Sequence, residues 1–187
     1  MEDISTQAPS QAPAVTTAPH PLVALAKAAV ETWVTSSEEV PPPEDMAEAP
    51  AGRAGVFVCL KDKYGALRGC IGTFDPAQAN IALETIRNAI ASATRDPRFP
   101  PVTASELPYL QYTVDVLTAP ERVESEAALD PRHYGVIVQA GLRRGLLLPD
   151  LEGVDTVEAQ VDIAKRKAGI RPRERVDLFR FTVQRFQ

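Results

Sequence analysis

Residues 67–74 read LRGCIGTF, which places Cys70 between two glycines and two positions after Arg68. Alternate side chains of a strand share a face, so an extended conformation would make Arg68 and Cys70 neighbours. A cation beside a thiol favours the thiolate, which is the nucleophilic form. We therefore predict that Cys70 is a catalytic nucleophile or redox thiol and that Arg68 lowers its pKa. A cysteine that only packs in the core, beside glycines that mark a bulge, is the structural alternative.

The residues around Cys70 and in a later proline-rich loop supply candidate ligand contacts. The two glycines remove side chains that would bar a ligand from the sulfur, and residues 95–101 (RDPRFPP) carry charged and aromatic groups. An aspartate beside two arginines is usually half of an ion pair, and a phenylalanine under a loop often plugs the core, so both also have structural interpretations. We expect Arg68, Cys70, Thr73 and the loop at 96–99 to share one concavity. The predicted ligand-binding residues are Gly69, Gly72, Thr73, Asp96, Arg98 and Phe99.

The apolar run before this octet predicts a β-hairpin that brings in the second cysteine, Cys59. A two-residue turn at positions 64 and 65 would set Cys59 opposite Cys70 and Lys61 opposite Arg68. A three-residue turn would shift the register by one and separate the thiols. In the first register the facing Cβ atoms lie about 4.5–5.5 Å apart, which brings a cross-strand disulfide within reach.

The composition argues against several classes of function. With 187 residues, 44% of them hydrophobic, and a formal net charge of −5, the chain suits one folded domain and disfavours broad electrostatic binding of nucleic acid. No apolar run approaches the roughly 20 residues that span a bilayer. Two cysteines and two histidines without the spacing of metal ligands predict neither a metal site nor a cofactor. The start of the chain shows no basic leader or apolar signal core, so we expect a cytoplasmic protein.

Hydrophobic periodicity predicts an α+β domain that follows a disordered tail. Residues 1–20 are rich in Ala, Pro, Gln, Ser and Thr and cannot bury enough apolar surface to fold, so residues 21–187 form the predicted domain. Hairpins interleaved with helices are typical of a largely antiparallel sheet flanked by helices. The patterns predict helices at 21–35, 79–94 and 155–168, and strands at 55–60, 67–74, 110–117, 135–140, 145–148 and 178–186.

The octet resembles the signature of the AMMECR domain family, and further segments resemble the same family in the same order. These segments are RDPRFPP at 95–101, ELP at 106–108, YGVIV at 134–138 and GLLLP at 145–149. The resemblance implies the same fold class, with a smaller subdomain beside the main one. Many relatives carry an Asp-Gly-type turn where this chain has Tyr64-Gly65, which favours the two-residue turn.

The resemblance implies a biological setting but no established reaction. Genes of bacterial and archaeal relatives often occur with a Memo-like protein and a radical-SAM enzyme, and the prokaryotic group is called AmmeMemoRadiSam system protein A. This implies a shared pathway or complex with those two partners. The first hypothesis is a Cys70-dependent enzyme that acts on an unknown small molecule. A non-catalytic binding module or accessory subunit is the second hypothesis, and nucleotide or RNA binding is the third.

Overall fold

The computed structural model describes residues 18–43 and 50–187, and this part of the chain holds three α-helices and eight β-strands. The predicted tail lies outside the described residues except for positions 18–20. The helices are α1 (Pro21–Ser36), α2 (Ile81–Thr94) and α3 (Val157–Lys167). The strands are β1 (Val56–Lys61), β2 (Leu67–Thr73), β3 (Gln111–Leu117), β4 (Glu121–Val123), β5 (Gly135–Ala140), β6 (Arg143–Leu147), β7 (Asp177–Phe181) and β8 (Val183–Phe186).

The strands form two four-stranded sheets rather than one. The first sheet has the order β2-β1-β3-β8, and the second has the order β4-β7-β5-β6. Every pairing between neighbouring strands is antiparallel. The predicted α+β class with antiparallel sheets and flanking helices is therefore confirmed, and the second sheet with α3 corresponds to the predicted smaller unit.

Helices α1 and α2 cover one face of the first sheet. The Asn80 side chain caps α2 by accepting a hydrogen bond from the Leu83 amide at 2.9 Å, which satisfies one of the free donors at the helix start. Apolar residues of α1, α2, β1 and β3 bury one continuous core there, including Leu22, Val30, Val58, Ile86 and Val114. Burial of this face drives the layer to form because removing apolar area from water is favourable.

The two sheets also pack against each other. Side chains from both sheets form a separate cluster that includes Leu117, Ile137, Leu146 and Phe181, with Phe57 packed against it. Helix α3 covers the other face of the second sheet, where Val161 and Ala164 are buried. The molecule therefore has four layers, and the contact between the sheets is an internal boundary of the fold.

The C-terminal strand differs from the prediction. Residues 178–186 were predicted to form one strand, but the strand is interrupted at Thr182. As a result β7 belongs to the second sheet and β8 to the first. The Thr182 carbonyl accepts a hydrogen bond from the Thr118 amide at 3.0 Å, and the Thr182 amide donates to the Thr118 hydroxyl at 2.9 Å. Alternating side chains alone do not show where a strand passes between sheets.

The turn of the second hairpin is shorter than predicted, since the predicted strands at 135–140 and 145–148 leave four residues between them. This turn consists of Gly141 and Leu142, and Arg143 already pairs with Ala140 in the ladder. Gly141 has a φ of 59°, which a two-residue hairpin turn requires and which glycine adopts without steric cost. The short strand β4 was not predicted, because three residues are too few to show alternation.

Candidate functional site

The hairpin of β1 and β2 confirms part of the predicted register. Cys59 lies opposite Cys70, and the two cysteines form a disulfide with a Cα–Cα distance of 4.1 Å. The prediction that Lys61 faces Arg68 is wrong, since Lys61 pairs with Leu67.

The turn and a bulge in β2 together explain both outcomes. The turn has three residues and not the predicted two, because the Asp62 amide donates to the Ala66 carbonyl at 2.9 Å, and Gly65 closes the turn with a φ of 82°. This turn alone would separate the thiols. Strand β2, however, carries one extra residue, Arg68, between the pairs made by its neighbours, and this bulge restores the register at Cys70.

The bulge also moves Arg68 away from the face that holds Cys70. The Arg68 Nε donates to Glu106 Oε1 at 2.6 Å, and Nη1 donates to the Pro100 carbonyl at 3.0 Å. The guanidinium lowers the pKa of Glu106 to about 2 through this hydrogen bond. The expectation that Arg68 and Cys70 share a face is therefore wrong, because that expectation assumed regular alternation. In the structure Arg68 fastens β2 to the loop that follows α2.

A row of buried polar side chains ties α2 and the following loop to β1 and β2. Its members are spaced four residues apart, so the first three lie on one side of α2 and the fourth continues the row in the loop after it. Asn88 donates to the Val56 carbonyl at 2.9 Å, and Ser92 donates to the Val58 carbonyl at 2.7 Å. Ser92 also accepts from the Ile71 amide at 2.8 Å. We call Glu84, Asn88, Ser92 and Asp96 the polar ladder.

The two ends of the polar ladder each hold one of the predicted site residues, Thr73 and Cys70, in position. At one end the Thr73 hydroxyl donates to Glu84 at 2.5 Å, and Glu84 also accepts from the Ala77 and Gln78 amides. At the other end Asp96 accepts from the Cys70 amide at 2.8 Å. Thr73 therefore faces the helix layer, on the opposite side of β2 from the disulfide.

Asp96 and Arg98 hold the loop after α2 against β2. The Arg98 guanidinium donates to both Asp96 oxygens, at 2.9 and 2.6 Å, and to the Cys70 carbonyl at 3.2 Å. Hydrogen bonding from Arg98 and from the Cys70 amide keeps the pKa of Asp96 well below its usual range despite the opposing effect of burial. The ring centroid of Phe99 lies 5.9 Å from the guanidinium carbon of Arg68 and 5.5 Å from that of Arg98.

The two glycines of the octet make room for neighbouring protein atoms. A Cβ at Gly69 would overlap the Ser92 carbonyl oxygen on α2, and a Cβ at Gly72 would overlap the Phe57 ring on β1. Neither position faces open space, so the structure gives both glycines a packing role. The prediction that Arg68, Cys70, Thr73 and the loop at 96–99 share one concavity is wrong, because Thr73 faces the helix layer and only Cys70 and Arg98 of the eight predicted site residues line the cleft described next.

A cleft of about 490 Å³ opens between the two sheets, beside their shared apolar cluster. Cys59, Cys70 and Phe57 lie on its floor, which is the face of the first sheet away from α1 and α2. Residues 146–148 and Leu151 form the opposite wall. Both cysteines are half-buried, so the disulfide borders the cleft and is not sealed in the core.

Three cations converge on the part of the cleft nearest the disulfide. Lys61 lies two residues along β1 from Cys59, Arg98 reaches the Cys70 carbonyl, and Lys167 comes from the end of α3. Partial desolvation and repulsion from Arg98 lower the pKa of Lys167, although the residue stays accessible to solvent. Within residues 18–43 and 50–187, no carboxylate forms an ion pair with Lys61 or Lys167. This part of the cleft, called the cationic end, favours a negatively charged group.

The other part of the cleft carries charges of both signs. Arg185 on β8 donates to both oxygens of Asp115 on β3, at 2.8 and 3.0 Å, and this side-chain carboxylate is only 2% exposed. Hydrogen bonding to Asp115 raises the pKa of Arg185. Asp150 and Glu152 are exposed on the rim. At the end that holds the disulfide, Asp96 pairs with Arg98, whereas Lys61 and Lys167 have no ion-pair partner in the described part of the chain, so this end carries an excess of positive charge.

Sequence reasoning missed most of the cleft. The opposite wall and Lys167 lie 76 or more positions after Cys70, and no local pattern connects them to β2. Asp115 gave the one available signal, because a carboxylate within the apolar run of β3 requires a partner. That partner, Arg185, comes from the strand after the break at Thr182.

Comparison with known proteins places the chain in a family. A model of the AMMECR1 family matches residues 23–186, which is most of the chain. The chain belongs to the AMMECR1 family. A Thermotoga maritima protein is 52% identical over 171 residues, with 90% of this chain and 98% of that protein covered. A Clostridium acetobutylicum protein is 47% identical over 170 residues and is longer, since the match covers 88% of this chain but 35% of that protein.

A solved member of the AMMECR1 family has the same fold. The crystal structure of uncharacterized protein PH0010 from Pyrococcus horikoshii superposes with a TM-score of 0.80 at 35% sequence identity, covering 89% of each chain. Among residues 18–43 and 50–187, none of the helices has the length and apolar character needed to cross a membrane.

Proposed function

We propose that this AMMECR1-family protein binds a small molecule in the cleft between its two sheets, with an anionic group of the ligand at the cationic end. The observation that carries the proposal is that Lys61, Arg98 and Lys167 all line a cavity of about 490 Å³, with Arg98 bonded to the Cys70 carbonyl and Lys167 near enough to Arg98 to be repelled by it. Cavities of roughly 300–1,000 Å³ with apolar walls and a few polar groups are typical ligand sites.

The charges support an anionic ligand group in particular. The pKa of Lys167 is lowered because its charged form is desolvated and lies near Arg98. A negative group between these cations would reverse that repulsion, so part of the binding energy would come from relieving an unfavourable arrangement. The wall of leucines at 146–148 would contact an apolar portion of the same molecule.

A Cys70-dependent reaction is the second candidate function. Its support is the position of Cys70 beside the cationic end, where Arg98 takes the place that the sequence assigned to Arg68. Because Cys70 is bonded to Cys59, a nucleophilic role requires prior reduction of the disulfide. Nucleotide or RNA binding has less support, since the chain is acidic overall and Phe57 is the one aromatic side chain among the described residues that line the cleft.

The wider setting rests on the family resemblance alone. We propose that the protein acts in the cytoplasm, in a pathway or complex with a Memo-like protein and a radical-SAM enzyme, as the AmmeMemoRadiSam system protein A name implies. The long Clostridium acetobutylicum relative is compatible with a chain that works beside other proteins, because its additional length lies outside the matched region.

The binding proposal is tested with 8-anilinonaphthalene-1-sulfonate, which combines apolar rings with a sulfonate. We expect this probe to bind the wild type, and we expect the Lys61→Gln/Lys167→Gln variant to bind about tenfold more weakly, since loss of about 1.4 kcal/mol is one decade in Kd. Both lysines are exposed residues without ion-pair partners in the described part of the chain, so the fold should tolerate the changes. Fluorescence titration gives the Kd.

Lys63→Gln is the matched control. Lys63 lies on the same hairpin but outside the cleft, with its ammonium 5.0 Å from the Tyr64 ring centroid. Its removal should leave the Kd unchanged. Equal affinity of the probe for the wild type and the double variant would contradict the proposed site, because it would mean that the probe binds to apolar surface elsewhere.

A further inference from the structure

The Cys59–Cys70 disulfide faces the cleft and not the core. Side chains alternate along β1, and the neighbours Val58 and Leu60 are fully buried under the helices. The cysteines point to the other face of the sheet, where both line the cleft and are half-buried. A molecule in the cleft would therefore lie next to the S–S bond.

The disulfide has little need to brace the fold. It joins residues only 11 positions apart, in two strands that are already paired along most of their length. A cross-link across a short loop removes less entropy from the unfolded chain than one across a long loop. The polar ladder and Arg68 also hold β2 in place without it. Structural bracing is therefore a weak explanation for a disulfide at this position.

The cationic end gives the disulfide a preferred reactant. Lys61 flanks Cys59 along β1, while Arg98 and Lys167 lie on the Cys70 side. Thiolates are anions, and a second negative group on the same molecule would add to their attraction toward these cations. We propose that Cys59 and Cys70 form a thiol–disulfide exchange centre for a low-molecular-weight thiol that also carries a carboxylate, sulfonate or phosphate group. This inference rests on the proposed function, because the same cationic end binds the anionic group.

The exchange consumes two molecules of thiol, written RSH. The first thiolate attacks one cysteine sulfur, so an S–S bond to the ligand forms, the Cys59–Cys70 bond breaks, and the other cysteine leaves as a thiolate. A second thiolate attacks the ligand sulfur of the mixed disulfide and releases RSSR and the second cysteine thiolate. The two protons lost by the RSH molecules end on the cysteines. The protein disulfide is reduced to a dithiol, and two RSH are oxidised to RSSR; the reverse reaction regenerates the disulfide.

The test compares two thiols of similar size and different charge on the full-length oxidised protein. 2-Mercaptoethanesulfonate is anionic and 2-mercaptoethanol is neutral. Aliquots are quenched with acid, labelled with a maleimide polymer and separated on a gel, which gives the rate at which protein thiols appear. The same two rates on the urea-unfolded chain give the intrinsic ratio without a cleft. We expect the folded wild type to prefer the anionic thiol about tenfold beyond that ratio, about one decade for each 1.4 kcal/mol of attraction.

The variants assign the preference to the cleft. Lys61→Gln/Lys167→Gln should lower the ratio to the value of the unfolded chain, and Lys63→Gln should keep the wild-type ratio. A wild-type ratio equal to that of the unfolded chain, or a folded disulfide that neither thiol reduces, would overturn the exchange proposal. If the double variant loses the fluorescent probe but keeps the wild-type thiol ratio, exchange is wrong and the binding site stands. If the fluorescent probe binds the wild type and the double variant equally well, the proposed function is wrong. The ratio of the two reduction rates then decides separately whether the exchange proposal holds.

Discussion

Replacing Gly69 by alanine tests whether the octet glycine is required for helix packing. A Cβ at this position would overlap the Ser92 carbonyl oxygen and lie 3.1 Å from the carbonyl carbon. These are main-chain atoms of α2, so they cannot move aside as a flexible side chain could. The helix and β2 must separate, and the hydrogen bonds of Ser92 to Ile71 and Val58 lengthen as they do.

The expected loss in the free energy of unfolding combines two unfavourable contributions and one favourable one. Overpacking a close contact costs about 1–3 kcal/mol, and weakening the two Ser92 hydrogen bonds adds about 1 kcal/mol each. The lower entropy of unfolded alanine offsets about 0.4–1 kcal/mol of that. We expect a net loss of about 2–5 kcal/mol in the free energy of unfolding, a large part of the roughly 5–15 kcal/mol typical of a folded domain.

Urea denaturation followed by circular dichroism measures the loss. Gly153→Ala is the control, because it makes the same chemical change at a position where no atom of the described residues lies within 4 Å of the new Cβ, although the φ there is 77°. That backbone strain alone costs about 1–2 kcal/mol. If Gly69→Ala destabilised the protein no more than Gly153→Ala, the argument that α2 excludes a side chain at Gly69 would be refuted.

Two further predictions concern charges near β2. Arg68 lowers the pKa of Glu106 from 4.5 to about 2, so this carboxylate stabilises the fold above the unfolded pKa and loses the effect as pH falls toward 2. The difference in urea midpoint between the wild type and Glu106→Gln should therefore become smaller as the pH falls from above 4.5 toward 2. A difference that does not change with pH would contradict the conclusion that Arg68 lowers the pKa of Glu106. For Cys59→Ser, which frees Cys70, alkylation by iodoacetamide should show a rate midpoint below the ordinary thiol pKa of about 8.5, because the cleft cations favour the thiolate. Adding Lys61→Gln/Lys167→Gln should raise that midpoint. A midpoint at or above about 8.5 that is the same with and without these two substitutions would argue against an activated Cys70.

The hairpin shows how far the sequence could be interpreted. The apolar run and the turn residues predicted paired strands with Cys59 opposite Cys70, but that register was derived from a two-residue turn, and the turn has three residues. They were not enough to predict the path of the chain, since the three-residue turn and the bulge at Arg68 shift the register in opposite directions and cancel at the cysteines. Arg68 was assigned to the wrong face for this reason, because a bulge is a local event that periodicity averages out.

The cleft could not be predicted for a different reason. Helix α2 was found from the period of its apolar residues, and the polar residues of the ladder also follow that period. The wall at 146–148 and the cation Lys167 reach the disulfide only because two sheets pack face to face. Such packing depends on contacts between distant segments, which a single sequence records only as buried apolar runs.

The polar ladder has a consequence for the solution behaviour of the protein. Strand β2 lies at the edge of its sheet, and edge strands with free main-chain groups can pair with a strand from another molecule. Here Asp96 accepts from the Cys70 amide and Arg98 donates to the Cys70 carbonyl, while Ser92 bridges Ile71 to Val58 on the neighbouring strand. The residues that fasten the strand to α2 thus also protect an exposed sheet edge from self-association, and a chain that lost them would offer that edge as a template for aggregation.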